Sequence, residues 1–167
     1  MVRGWLLGPA LLLLMGVGSV AAATIDQTIR TAQELAGRHR YAEVIELLTE
    51  VEGSSKIPEI RYIVAAELGR AYFHLGRYSE AHQRFRQAVT IHPDRAETAL
   101  YLEASAYLMG DLDQALLILR EILRSDARDL YLAVTLPGER RFLAEPEVWA
   151  VLDAHRISME IDLEGAR

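Results

Sequence analysis

The chain contains no cysteine. That excludes disulfides, thiolate zinc sites and cysteine nucleophiles together. It is compatible with an oxidising compartment without requiring one. Positive charge is in short supply: 18 basic residues face 24 acidic ones, for a net charge of −6. Nonspecific nucleic-acid binding needs a basic face, so nucleic acid is not an expected partner. There is no Gly-rich phosphate loop, no H-E-x-x-H pair and no G-x-S-x-G turn. The five histidines are scattered. His39 and Glu43 are four apart, but a predicted turn lies between them, and His82 and His92 fall on an outer helix and its end. No metal site and no cofactor are implied. The acids mostly occupy solvent-facing helix slots, where a charge is usually just solvated. The sequence does not read as an enzyme.

A length of 167 residues with 51% apolar content predicts one folded globular unit. Its start is different. Arg3 precedes an uncharged stretch, Gly4 to Ala23, with an apolar centre and an Ala21-Ala22-Ala23 end. A basic start, an apolar middle and an A-x-A end describe a secretory signal peptide, residues 1–23, cut after Ala23. The alternative is an uncleaved anchor, since about 20 apolar residues can just span a bilayer. Pro9, Gly16, Gly18 and the small-residue end favour cleavage. Both readings export the rest of the chain, to the periplasm or cell envelope if the source is bacterial. No cysteine follows the apolar run, which excludes a bacterial lipoprotein anchor. Loss of Arg3, with no acid before residue 24, takes the mature net charge to −7.

The remainder predicts paired helices. The clearest pair lies in 58–93. Pro58 suits a first helical turn, where its missing N–H costs nothing. A helix to about Leu75, a tight Gly76-Arg77 turn, a second helix from Tyr78 to Ile91 and the stop at Pro93 follow. Small residues (Gly69, Ala81, Ala88) alternate with large ones (Leu68, Tyr72, Tyr78, Phe85). The plan recurs 34 residues on: Gly76 as Gly110, Ala81 as Ala115, Phe85 as Leu119, Leu68 as Leu102. Asp94 with Glu97, and Asp111 with Gln114, are candidate capping pairs for that second copy. It departs from the pattern where Glu103 replaces Gly69, Ala106 replaces Tyr72 and Ala127 replaces Pro93. A degenerate first copy starts with a Thr24/Gln27 capping box. It continues with a helix from about Ile25 to Ala36, a turn at Gly37–Arg40 and Tyr41-Ala42-Glu43-Val44. Leu48 takes the slot of Phe85. Tyr41 precedes Tyr78 by 37 residues, and the extra three are assigned to the Gly53-Ser54-Ser55 linker.

This pattern resembles the tetratricopeptide repeat (TPR), a helix–turn–helix unit of 34 residues that stacks on copies of itself. The resemblance covers about Ile25 to Asp129. It implies an all-α fold, an α-solenoid of about three units (25–57, 58–93, 94–129) within an array spanning 24–129. Residues 130–167 would form a C-terminal cap and tail. Pro137-Gly138 reads as a turn, and Pro146-Glu147 opens a short helix carrying Val148, Trp149, Val151 and Leu152. Trp149 and Phe142 would cover the apolar face that the last repeat exposes, since terminal repeats need a cap. Trp149 as a partner anchor is the alternative. The tail after Ile157 alternates apolar and acidic residues and is read as a frayed end.

The resemblance also implies a function: a non-catalytic protein–protein interaction module, an adaptor or scaffold holding a protein or peptide segment in a concave groove lined by the first helix of each unit. Helical spacing then selects Ile63, Glu67, Arg70 and His74 on one helix, flanked by Phe73. In the next unit it selects Glu97, Tyr101, Ala104 and Leu108, flanked by Tyr107. Arg70 could pair with a carboxylate or a peptide backbone. Phe73 and Tyr107 could instead pack between helices and never meet a ligand. Those stripes carry no asparagine and no lysine, and only Arg30 and Arg70 are basic, which argues against a carboxylate clamp of the kind some chaperone-binding TPR domains use. Two alternatives stay open. One is a structural repeat protein that stacks into a homo-oligomer. The other, more distant, is a hydrolase-type enzyme using a groove carboxylate with His74. Membrane contact is expected only through the N-terminal segment.

Overall fold

The computed structural model describes residues 10–125, 136 and 138–155. Arg3, the end of the expected array at Asp129 and the alternating tail lie outside the described residues. The chain folds into consecutive helices α1 (Ala10–Gly37), α2 (Tyr41–Val51), α3 (Pro58–His74), α4 (Tyr78–Ile91), α5 (Ala96–Leu108), α6 (Leu112–Arg124), α7 (Glu139–Phe142) and α8 (Pro146–Ala154). No strand occurs among the described residues, as the all-α expectation requires. No helix of the described residues is long and apolar enough to cross a membrane.

Three hairpins, α1–α2, α3–α4 and α5–α6, share one turn. At the second, the Gly76 N–H donates to the Phe73 carbonyl (3.0 Å) and the Arg77 N–H to the Tyr72 carbonyl (2.9 Å). Gly110 and Asp111 repeat those bonds to Tyr107 and Ala106, and His39 and Arg40 repeat them to Ala36 and Leu35. These crossed bonds satisfy carbonyls that a helix end would otherwise leave open, and they need a left-handed residue. Gly76 and Gly110 supply it at φ +72° and +88°, while His39 adopts φ +58° with a side chain in place.

The hairpins close by nesting small residues against large ones. Val44, Ala81 and Ala115 are buried at equivalent slots, as are Leu48, Phe85 and Leu119. Each of those larger side chains contributes about 1.5–3 kcal/mol by leaving water. At Gly69 an added Cβ would stand 2.6 Å from the Phe85 ring, so α3 and α4 approach as closely as they do only because that position is glycine. Helix α3 is buried nearly all round, from Val64 to Gly69 and from Ala71 to Phe73. It sits at the centre, packed on α2, α4, α1 and α5. Helix α6 instead buries one face, Ala115, Leu116, Leu119, Ile122 and Leu123, and is charged on the other. The C-terminal helices cover that end of the stack. Phe142, Val148, Val151 and Leu152 join the core of α5 and α6, and Trp149 packs against it half-buried.

Four local expectations need correction. Helix α1 runs unbroken through Thr24, so Thr24 is an interior residue whose carbonyl accepts from Thr28 Oγ1 (3.0 Å), not a cap. Gln27 accepts from Arg30 instead of closing a box (3.0 Å). The alanines before Thr24 are strong helix formers and nothing stops the helix there. Helix α5 is capped at Arg95, not Asp94, and without a side-chain bond. Asp94 lies 3.7 Å from His92 Nδ1, and Glu97 is engaged with Arg70. Asp111 does cap α6, accepting from the Gln114 N–H at 3.0 Å. Finally, the extra residues of the first copy are not in the Gly53 linker. Helix α3 has 17 residues against 13 in α5, while the spacing from the start of α2 to the start of α3 is no longer than that from α4 to α5. The added turn at Pro58 is held where Glu59 meets His92 Nε2 (3.0 Å) and Arg95 (3.2 Å).

Candidate functional site

The first helices of the three hairpins lie side by side: α1 touches α3, and α3 touches α5, while the second helices are held further apart. The array therefore curves with α1, α3 and α5 on its inner side. A polar ladder crosses that side. Gln33 Nε2 donates to Glu67 Oε1 (3.0 Å). Arg70 donates twice back to Glu67, from Nε (3.4 Å) and Nη2 (3.3 Å), and forward to Glu97 from Nη1 (3.1 Å). Gln33 and Arg70 hold the same repeat slot and each reaches forward to the next unit, but Arg70 meets Glu97, one turn before Tyr101, the residue that holds the slot of Glu67. Burial works against the Arg70 charge, but the carboxylates of Glu67 and Glu97 outweigh it and hold the guanidinium above its ordinary pKa.

Aromatic side chains border the ladder. Tyr41 stacks on His74, ring centres 4.6 Å apart, and its hydroxyl meets His39 Nδ1 at 2.9 Å. Partial burial, with His39 and Arg70 nearby, lowers the His74 pKa and so favours the uncharged imidazole. Tyr101 stacks on Phe85 (5.1 Å) and meets the edge of Phe73 (5.3 Å). Burial raises the Tyr101 phenol pKa, with Glu97, Tyr41 and Glu67 adding to it and Arg70 opposing.

The structure sorts the ten residues selected by spacing. Glu67, Arg70, Glu97 and Tyr101 come together, with His74 at one edge. Ile63 is half-buried on the same helix. Phe73 is 2% exposed and packs between helices against Tyr78, Phe85 and Tyr101. Ala104 is buried. Tyr107 is covered by the C-terminal segment: its ring lies 5.1 Å from that of Phe142 and its hydroxyl donates to Glu145 (2.9 Å). Burial and that carboxylate push its phenol up to about 12. Leu108 lies under Gly138, where an added Cβ would stand 2.7 Å away. The open part of the inner face is thus the portion toward α1. Sequence spacing missed Gln33 and Tyr41 there. Gln33 was findable, because it holds the Arg70 slot one unit earlier. Tyr41 was not, because it belongs to a second helix and reaches the groove only around the hairpin turn.

Two cavities lie elsewhere. One of about 350 Å³ lies between α2, α3 and α4, lined by Val51, Ile60, Val64 and Ile91. One of about 560 Å³ lies between α4, α5 and α6, lined by Val89, Ala99, Leu102, Ile118 and Ile122. Neither includes a residue of the ladder.

A family model described as tetratricopeptide repeat matches residues 72–135. Over those residues the chain carries tetratricopeptide repeats. The match begins at the end of α3 and takes in α4, α5 and α6, the hairpins whose turns use Gly76 and Gly110. No curated protein matches the chain. TPR repeats generally mediate protein–protein interaction, and TPR proteins are typically non-catalytic modules.

Proposed function

We propose that this TPR protein is an exported, non-catalytic adaptor. It holds a segment of a partner protein on the inner face of α1, α3 and α5 and so recruits that partner in the periplasm or cell envelope. The observation that carries the reading is the ladder Gln33–Glu67–Arg70–Glu97. It ties three units into one continuous strip, polar along its centre and bordered by the half-exposed rings of Tyr41 and Tyr101. Such a strip presents side chains at fixed spacing to an extended chain, and a rigid, preordered surface lowers the cost of binding one. The N-terminal pattern, a basic start, an apolar middle and Ala21-Ala22-Ala23, supports export.

The test is affinity capture from an envelope extract with the wild-type chain, Glu97→Lys and Gln83→Lys. Both substituted residues are exposed, and only the first is on the inner face. Glu97→Lys is expected to lose the captured partner while far-UV circular dichroism stays unchanged, and Gln83→Lys to keep it. Equal capture by both variants contradicts the reading. The intact mass of the chain recovered from the envelope checks export: a start at Thr24 is expected, and recovery only from the cytoplasm contradicts it.

A further inference from the structure

The inner face also indicates the chemistry of its occupant, and this step rests on the groove reading above. An arginine in a groove suggests an acidic ligand. Here it is already engaged. Three of the Arg70 donor contacts go to Glu67 and Glu97, from Nε, Nη2 and Nη1. An incoming carboxylate would have to displace one of those pairs and then lie against both acids. The strip Glu67–Arg70–Glu97 has a formal charge of −1, and the whole chain is −6. Glu67 is nearly buried at 10% side-chain exposure, whereas Glu97 is 60% exposed, and only its Oε1 is engaged by Arg70. The excess negative charge therefore reaches solvent at Glu97.

The surroundings suit a cation. Tyr101 follows Glu97 by one turn of α5, and His74 follows Arg70 by one turn of α3 with Tyr41 stacked on it, so both tyrosines border the Arg70–Glu97 pair. Ring faces attract cations when they flank a carboxylate that fixes the charge. Tyr41, stacked on His74, adds a second aromatic wall. Arg40 and Arg77, next to the hairpin turns, are paired with Glu43 and Glu80, and Arg84 with Glu52. We propose that the partner segment places a basic side chain, lysine or arginine, against the Glu97 carboxylate, between the rings of Tyr101 and Tyr41.

The absence of cysteine makes this directly testable, because one introduced thiol can be labelled cleanly. Gly37→Cys, exposed at the end of α1 with open space around an added side chain, carries an environment-sensitive fluorophore at the edge of the groove, and Gln83→Cys carries it on an outer helix. Three pools of ten-residue peptides share a degenerate composition and differ only in a fixed central residue: arginine, glutamine or glutamate. The label at 37 is expected to report the arginine pool binding about fivefold to tenfold more tightly than the glutamine pool. That preference should shrink with added salt and vanish in Glu97→Gln. Equal or better binding of the glutamine or glutamate pool, seen by the label at 37, overturns the basic side chain and leaves the groove standing. A response only from the label at 83 overturns the groove as well, as does silence of both labels with every pool.

Discussion

The α3–α4 and α5–α6 hairpins share a plan and almost none of its side chains. In the first, Phe85 lies over Gly69 with Phe73 edge-on and Tyr101 stacked against it, and Tyr78 packs edge-on to Phe73. In the second, Leu119 takes the place of Phe85, the glycine slot holds the buried Glu103, and the contact is made by Ala106, Ala115, Leu116 and Ile122. The middle hairpin has a neighbour on each side. The last one completes its core with Phe142, Val148 and Leu152 from the C-terminal helices. What repeats is therefore a backbone device, a left-handed turn with two crossed hydrogen bonds, together with small-against-large nesting. Within each unit the nested pair changes together, glycine with a flat ring and a longer side chain with leucine.

The comparison can be broken at its large residues first. Phe85→Ala is expected to cost about 3–5 kcal/mol in urea denaturation, and more than Leu119→Ala, because it empties a space bounded by two other aromatic rings. A larger loss at Leu119 would mean that the aliphatic hairpin is the one that holds the array together. The nesting rule is tested next. Gly69→Ala is expected to cost about 1–3 kcal/mol by overpacking, despite the better helix propensity of alanine. In a Phe85→Leu background that cost should mostly disappear, since leucine at the facing slot tolerates a side chain in the last hairpin. Strict additivity in this double-mutant cycle would show that the two positions do not constrain one another. The smallest effect concerns the turns. Gly76→Ala and Gly110→Ala should each lose about 1–2 kcal/mol, because both sit at positive φ. His39→Gly should gain about 0.5 kcal/mol, since relief of the left-handed strain is partly offset by glycine entropy and by loss of the contact with Tyr41. A loss at His39→Gly would show that its bond to the Tyr41 hydroxyl outweighs the strain.

Much of the fold was legible because its signals are local. Pro58 and Pro146 open helices, Gly76 and Gly110 close hairpins, and Tyr78 to Ile91 is bounded as its sequence predicts. Asp111 caps because Gln114 lies one turn on, whatever happens elsewhere. Asp94 looked equivalent and is not, because His92 and Arg70 draw Asp94 and Glu97 away from the helix end. Arg70 lies on a neighbouring helix, outside any local window, while His92 is only two residues from Asp94 and was open to a sequence reading. The site was legible to the same degree. Spacing placed Glu67, Arg70, Glu97 and Tyr101 on one side, since helical period decides that. It could not show that Arg70 is occupied by its own neighbours, which depends on the register between units. Nor could it show that Phe142, Glu145 and Gly138 return over Tyr107 and Leu108. The extra turn of α3 was hidden for a similar reason: its contacts to His92 and Arg95 come from the following linker.

The most direct measurement is site-specific photocrosslinking in the cells that make the protein. A photoreactive side chain is placed singly at Arg30, Gly37, Gln83 or Leu117. All four positions are exposed; the first two lie on α1, in the repeat slots of Glu67 and His74 on the inner face, and the others lie on the outer helices α4 and α6. Adducts to one partner from positions 30 and 37, with none from 83 and 117, are the result predicted here. Adducts from 83 or 117 with positions 30 and 37 silent would contradict it.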